Sequence, residues 1–567
     1  MSLVSSPVLD PKNAEKAPRQ DRVQNLEQIN LIDQLLKEQN EISAVERFSQ
    51  KHESEQGHMQ RSYYEDLIPI KKPSTGEQYS FEVDLDKCTG CKACVVACHS
   101  MNGLHENESW RDIGSIRGLS DGVEELQTVT SACHHCADPG CLNGCPVGAY
   151  EKEKDTGIVR HLDDQCIGCQ YCSLKCPYDV PKYDKSLGIV RKCDMCHDRL
   201  AEGEAPACVQ ACPNGAIKIK LTKTATIHAD AKGGRSILPG AFRSDYTKPS
   251  TTFRSSRNLT QDLEASDERE LTPAHAHTPL VWMLTLTQVA VGLSLAELAG
   301  KVFNATWMDS LHLPLAIAAI IIGNAGLISS FLHLGSPLGA WRIFLGLKTS
   351  WLSREIVMFS AWMPALITYT ATLILPQLLP QFFTWLPSWA PIALLSSTVV
   401  LGLLSVYCSI MVYVDTQRAF WSMTKTLGRF IGTAVISGFA GLLLMEMIIH
   451  NSTSGIALGG FLLGCGIKIF TEVNLLTPAR SKEWGFDKKS ALLQLHPLRK
   501  VLTTRWATLS FALLAGLLAI IIPSVNIVLG SLALLALIVG EWMERRLFFQ
   551  AVVTLKMPGE IAAPTHD

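Results

Sequence analysis

Cysteine is absent from the first 87 residues of this 567-residue chain, and beyond Cys212 it occurs only as Cys408 and Cys465. A disulfide framework spread along the whole polypeptide is thereby excluded. An excess of either charge is also lacking: 51 Lys and Arg face 53 Asp and Glu, a formal net charge of −2. Nothing in that balance draws the chain to nucleic acid, and none is expected as a partner. Residues 1–60 contain no apolar run of the kind that directs secretion and no twin-arginine leader, so export by either route is not expected. Charge becomes scarce between residues 279 and 545, where apolar runs dominate. The chain divides into a polar first half and an apolar second half, and its length is too great for one ordinary core.

What is present is concentrated. Sixteen of the 18 cysteines lie between residues 88 and 212, in four groups. The first is Cys88, Cys91, Cys94 and Cys98; the second is Cys133, Cys136, Cys141 and Cys145, followed by Pro146. The third is Cys166, Cys169, Cys172 and Cys176, followed by Pro177; the fourth is Cys193, Cys196, Cys208 and Cys212, followed by Pro213. This is the bacterial ferredoxin spacing for [4Fe–4S] cubes, in which the fourth cysteine of a run ligates the other cube of a pair. If the first and fourth groups pair, one cube takes Cys88, Cys91, Cys94 and Cys212, and the other takes Cys98, Cys193, Cys196 and Cys208. If the second and third pair, Cys133, Cys136, Cys141 and Cys176 hold one cube, and Cys145, Cys166, Cys169 and Cys172 the other. Every position is a cysteine, so four [4Fe–4S] clusters and no three-iron centre are expected. Disulfides compete poorly, because disulfide domains do not repeat this spacing. Zinc competes for the fourth group alone, whose two pairs are separated like those of a zinc ribbon.

A helix needs about 20 apolar residues to cross a bilayer. Eight runs qualify, near 279–299, 311–331, 355–375, 391–413, 430–450, 456–475, 506–522 and 525–543. Eight in succession predict a helical bundle in lipid, with Cys408 and Cys465 as buried thiols. Lys and Arg gather in the connections 332–354, 414–429 and 476–505 and in the tail, whereas 376–390, 451–455 and 523–526 have none. Positive loops stay cytoplasmic. Both termini and the cysteine-rich domain are therefore expected on the cytoplasmic face of a bacterial inner membrane.

The expected architecture is an α+β ferredoxin-like four-cluster domain followed by an all-α eight-helix transmembrane bundle. Residues 1–72 are a polar extension with an amphipathic stretch from Leu26 to Phe48. Residues 73–221 form the four-cluster domain, with strands near 81–86, 157–162 and 216–221. Residues 222–277 are an extended arm and linker, in which His275 and His277 read as solvated. Residues 278–545 form the bundle, and 546–567 a cytoplasmic tail.

With these residues in view, the stretch 80–253 resembles the iron–sulfur subunit of the dimethyl sulfoxide reductase family. The likeness is carried by Asp86-Lys87-Cys88-Thr89-Gly90-Cys91, Cys133-His134-His135-Cys136, Cys166-Ile167-Gly168-Cys169 and Lys192-Cys193-Asp194-Met195-Cys196. Relatives with a three-iron centre have Trp where this chain has Cys169. The second half resembles the family's membrane anchor, an eight-helix subunit that lacks haem and oxidises menaquinol. Its most telling run is His333-Leu334-Gly335-Ser336-Pro337, with Ala340-Trp341-Arg342 and then Ser353-Arg354-Glu355-Ile356. The resemblance implies that His333 and Glu355 belong to a quinol site, with Arg342 in the same loop. It also implies a separate catalytic partner that alone carries molybdopterin, and no haem here. A His–carboxylate pair is suited to accept the protons that a quinol releases.

Other membrane residues leave alternatives open. Lys468 and Glu472, spaced i and i+4, suit an internal ion pair. Glu297 and Glu446 stand near helix ends and are expected to reach the interface, and His312 with His450 could hold a bis-histidine haem. Two rival functions remain: an ion-translocating redox module with Lys468 and Glu472 in its path, or a dehydrogenase subunit that reduces quinone. Cluster potentials range over more than 1 V with the same ligands, so cysteine spacing does not fix the direction of electron flow. Sulfoxide, N-oxide, nitrate and sulfur compounds all fit as the terminal substrate.

Overall fold

The computed structural model describes residues 61–559, except positions 107, 121, 122, 258, 260–262, 304, 380 and 382–386, and only isolated positions before 61. The amphipathic stretch expected between Leu26 and Phe48 lies, apart from isolated positions, outside the described residues.

The polar half is built on short sheets that hold the cysteine loops. Strand β1 (Glu77–Asp84) is covered on both faces, with Phe81 and Val83 buried on one side and Gln78, Ser80 and Glu82 on the other. It pairs antiparallel with β8 (Ile217–Lys223), Phe81 opposite Ile219, and parallel with β9 (Thr252–Arg254). The hairpin β2 (Asp112–Ser120) and β3 (Val123–Ser131) is extended by β10 (Glu264–Ala265). Two smaller hairpins, β4 (Tyr150–Lys152) with β5 (Val159–His161) and β6 (Lys182–Asp184) with β7 (Ile189–Arg191), complete the layer. The expected strands at 81–86, 157–162 and 216–221 thus fall on β1, β5 and β8, with ends moved by pairing. The arm is more ordered than its composition suggests: it carries a helix, Thr224–Ala231, and lends β9 and β10 to two different sheets.

Eight helices among the described residues are long and apolar enough to cross a membrane, which makes this a multi-pass membrane protein. They are α1 (Thr278–Phe303), α2 (His312–Phe331), α3 (Trp351–Leu378) and α4 (Ala390–Val414), then α5 (Met423–His450), α6 (Gly455–Leu476), α7 (Arg499–Ile521) and α8 (Asn526–Gln550). At 1.5 Å per residue their 20 to 28 residues suffice to cross the hydrocarbon core. α1 and α5 form the buried centre. They approach backbone to backbone: a Cβ at Gly292 would lie 2.0 Å from the Ala434 carbonyl oxygen, and one at Gly438 would lie 2.1 Å from that of Gly292. Small residues at helix crossings are the usual means of such contact in lipid.

Two connections do more than link helices. The segment between α6 and α7 contains a helix, Phe486–Leu495, and Lys489 Nζ there donates to the Glu268 carbonyl at 2.6 Å. The segment that follows α8 does not trail away: residues 551–559 return to the cysteine-rich domain. The Ser115 amide donates to the Gly559 carbonyl at 3.3 Å, and the Gly559 amide to Asp267 at 3.1 Å. Gly114 on β2 has to be glycine for this, since a Cβ would sit 1.7 Å from the Pro558 oxygen.

Candidate cluster-binding loops and the junction cavity

The cysteine runs curl because selected residues take the left-handed backbone region. Gly90 and Gly168 do so at φ +71° and +68°, and Lys92 and Gln170, two residues further on in each run, do so at 63° and 59°. For a side chain this region costs about 1 kcal/mol or more per residue. It turns successive thiols toward one centre.

Two cavities show the result directly. One is lined by Cys133, Cys136, Cys141 and Cys176, and another by Cys98, Cys193, Cys196 and Cys208. Elsewhere Cys172 feels the charges of Cys169, Cys145 and Cys166, and Cys94 those of Cys208 and Cys212. Among the described residues no three Cys, His, Asp or Glu side chains converge on a point that one metal ion could fill. Thiols arranged around a void fit a cube and not a zinc ion, which draws its sulfurs to about 2.3 Å. The groups follow one another in space. Tyr150 lies near both Cys172 and Cys141, Cys193 is close to Cys133, and Cys94 to Cys208. At the end of the row Cys91 is exposed.

The electrostatics also suit a buried anionic group. Arg111 and Lys192 are each 2% exposed. Burial opposes the Arg111 charge, yet the thiolates of Cys208, Cys94, Cys193 and Cys98 hold its ionisation above the ordinary value. Its Nε and Nη2 find no hydrogen-bond partner among the described residues. Lys192 Nζ lies 3.7 Å from Cys133 Sγ and donates to the Cys193 carbonyl at 2.8 Å. Backbone amides of Ala149, Met195 and Ala216 donate to Cys145, Cys193 and Cys212 sulfurs at 3.2, 3.4 and 3.2 Å. Hydrogen bonds of this kind tune cluster potentials.

The cysteine-rich domain meets the bundle through close backbone contact. A Cβ at Gly168 would lie 2.2 Å from the Gly188 oxygen, and one at Gly335 only 1.9 Å from that same oxygen. The Ser336 amide donates to the Ile167 carbonyl at 3.1 Å, Ser350 Oγ to that of Gly144 at 2.7 Å, and Tyr171 OH to that of Val412 at 2.9 Å. Between these latches is a cavity of about 340 Å³, mostly apolar, bounded by α1 to α4 and the third cysteine run. Its wall includes Cys169, Gln170, His333, Glu355, Tyr413 and His277. Glu355 is buried and accepts a hydrogen bond from Ser409 on α4. Burial lowers His333 to about 4, which leaves the ring neutral.

The structure brings His333 and Glu355 to one cavity but sends Arg342 elsewhere. Arg342 Nη1 donates to the Asp164 carbonyl at 2.9 Å and its guanidinium lies over Trp341, so it struts the interface and does not line the space. His277, read from composition as solvated, is instead half-buried and packs its ring 5.3 Å from that of His333. No local signal reveals this, because the contact spans 56 residues; the only hint is its place just before an apolar run.

The other membrane residues are also engaged. Lys468 and Glu472 are 3.5 Å apart, inside a larger network in which Lys468 meets Glu541 at 3.0 Å and Arg505 meets both Glu472 and Glu541 at 2.7 Å. Glu297 and Glu446 do not reach the interface: both are fully buried, because partners exist inside. Glu297 binds His312 at 2.8 Å and Tyr369, and Glu446 binds Trp307 at 3.0 Å and Ser454 at 2.6 Å. His450 stacks on Trp307 and pairs with Ser310 at 3.0 Å.

Comparison with known proteins matches each half separately. Residues 273–550 match the family model described as the DMSO reductase anchor subunit. Residues 79–100 match a 4Fe-4S binding domain, and 125–221 a 4Fe-4S dicluster domain. The sequence is 37% identical over 190 residues to the B subunit of the anaerobic dimethyl sulfoxide reductase of Escherichia coli K12, covering 32% of this protein and 90% of that one. It is 33% identical over 198 residues to the hydrogenase-2 operon protein HybA of Escherichia coli O157:H7, covering 30% and 59%. With the iron–sulfur subunit of the nitrate-inducible formate dehydrogenase of Escherichia coli K12 it shares 36% over 174 residues, covering 27% and 59%.

Proposed function

Because this protein belongs to the dimethyl sulfoxide reductase family, joining its iron–sulfur subunit and its membrane anchor in one polypeptide, we propose that it oxidises menaquinol in the junction cavity and serves a separate molybdopterin subunit. The observation that carries this reading is the shared wall: Cys169 of the cysteine-rich domain and Glu355 of α3 border the same space. Four [4Fe–4S] clusters, when bound, supply one-electron carriers between the cavity and the partner. The groups that would hold them are Cys145, Cys166, Cys169 and Cys172; Cys133, Cys136, Cys141 and Cys176; Cys98, Cys193, Cys196 and Cys208; and Cys88, Cys91, Cys94 and Cys212.

The chain's own residues do the rest. Apolar side chains from α1 to α4 hold the quinol ring and exclude water. Each quinol oxidised gives up two electrons and two protons. Glu355, with Ser409 fixing its orientation, accepts one proton, and neutral His333 accepts the other. Arg342 keeps the loop against the cysteine-rich domain. In this reading the face, both termini and the cysteine-rich domain are on the cytoplasmic side of the inner membrane, which the basic connections support. Protons released there are matched by those the terminal reduction consumes on the same side, so the complex builds no gradient of its own.

The test is anaerobic. Purified protein should contain about sixteen irons per polypeptide, and 2,3-dimethyl-1,4-naphthoquinol should reduce its clusters in electron paramagnetic resonance spectra. Far fewer irons, or signals indifferent to the quinol, would overturn the reading.

A further inference from the structure

The cavity draws its polar groups from two helix pairs. Glu355, tied to Ser409, belongs to the wall made by α3 and α4. From the other helix pair, His277, immediately before α1, and His333, just after α2, line the same cavity and pack edge to face at 75°. A quinol carries one oxygen at each end of its ring, and a mostly apolar cavity orients such a ligand only with a polar partner at both ends.

Resting on the function proposed above, we propose that His277 is a quinol-binding residue: its imidazole hydrogen-bonds the quinol oxygen distal to Glu355, beside His333. Three observations carry this. His277 lines the cavity. Its Nδ1 is buried and has no hydrogen-bond partner among the described residues. Such an atom destabilises the fold until a ligand or water satisfies it. Its backbone is in the left-handed region, at φ 46°, while its carbonyl accepts from the Leu280 and Val281 amides at 2.8 and 3.1 Å. A non-glycine residue is uncommon in that region, and here it stands where the arm enters α1. His275, its exposed neighbour, makes only a ring contact, at 4.8 Å. Burial, then His333 and His275, lowers His277 to about 3, so the ring is neutral and able either to donate or to accept.

The experiment uses the full-length protein with 2,3-dimethyl-1,4-naphthoquinone as the binding probe and its quinol as substrate. His277→Gly and His277→Asn both tolerate the left-handed backbone, so neither adds strain. His277→Gly should raise the Kd and the KM about tenfold with kcat nearly unchanged, as for lost uniform binding. His277→Asn, whose amide still reaches part of the way, should recover most of the affinity, and His275→Ala should match the wild type. The carbonyl stretches of the bound quinone add a readout on the wild type: one band should be lowered by hydrogen bonding and should move in His277→Asn. Unchanged Kd in His277→Gly, or carbonyl bands identical in wild type and His277→Asn, would overturn the inference. A wild type that binds no naphthoquinone would instead remove the functional reading beneath it.

Discussion

The two halves of the molecule bury charge in opposite ways. In the cysteine-rich domain Arg111 and Lys192 lie deep among thiols, and neither has a carboxylate salt-bridge partner among the described residues. In the bundle Arg429, Lys468, Arg505 and Arg545 each meet a carboxylate of Glu472, Glu541 or Glu544 within 3.5 Å. An isolated buried cation needs an anion to offset its desolvation, and a pair already has one. The first arrangement therefore describes a place shaped for an anionic guest. The second describes a scaffold that ties α5 to α8 together through pairs of opposite charge. The contrast bears on the ion-translocating alternative, which needs a path, whereas Lys468 is already held by Glu472, Glu541 and Glu544.

Substitutions can break that contrast, beginning with the severest. Cys169→Ala should cost one cluster, lowering iron per polypeptide by about a quarter, and should abolish reduction of the remaining clusters by naphthoquinol; iron assay and paramagnetic resonance read both. Glu355→Gln should keep all the iron but slow quinol oxidation about 10²–10⁴-fold, as loss of a proton acceptor does. Lys468→Ala removes the ammonium that Glu472, Glu541 and Glu544 share while each keeps an arginine, so stability should fall by about 1–3 kcal/mol in detergent unfolding while turnover per folded molecule stays put. If turnover or ion movement fell instead, the bundle's charges would be a path and the contrast would fail. Arg111→Met should make the neighbouring clusters harder to reduce, because a cation favours the added electron; a shift of about 60 mV downward in redox titration corresponds to a tenfold change. Arg342→Ala should do least, since it removes one hydrogen bond of about 1 kcal/mol at the interface and should leave the KM for quinol within about twofold.

Legibility followed the range of the interaction. Cluster ligands need fixed local spacing, so the four groups stand out in the sequence, and eight helices follow from apolar runs that nothing else would tolerate. His333 and Glu355 were marked by one loop. Partners distant in sequence left no trace: Glu297 looks interfacial until His312 and Tyr369 fold over it, and the network around Lys468 draws on Arg505 and Glu541, far along the polypeptide. Likewise the arm's composition suggests a linker, because β9 and β10 gain their hydrogen bonds only from β1 and β2. Arg342 and His277 exchange places for the same reason. A residue beside a motif can point either way, and only the packed interface decides which.

The return of residues 551–559 to β2 has a consequence for biogenesis. Synthesis runs from the N-terminus, so the cysteine-rich domain emerges before the helices and the segment that closes against Gly114 after them. Eight hydrophobic spans must be threaded into lipid in the interval. The cysteine-rich domain thus remains unsealed at β2 until the eight helices have been made, which couples its maturation to successful delivery at the membrane.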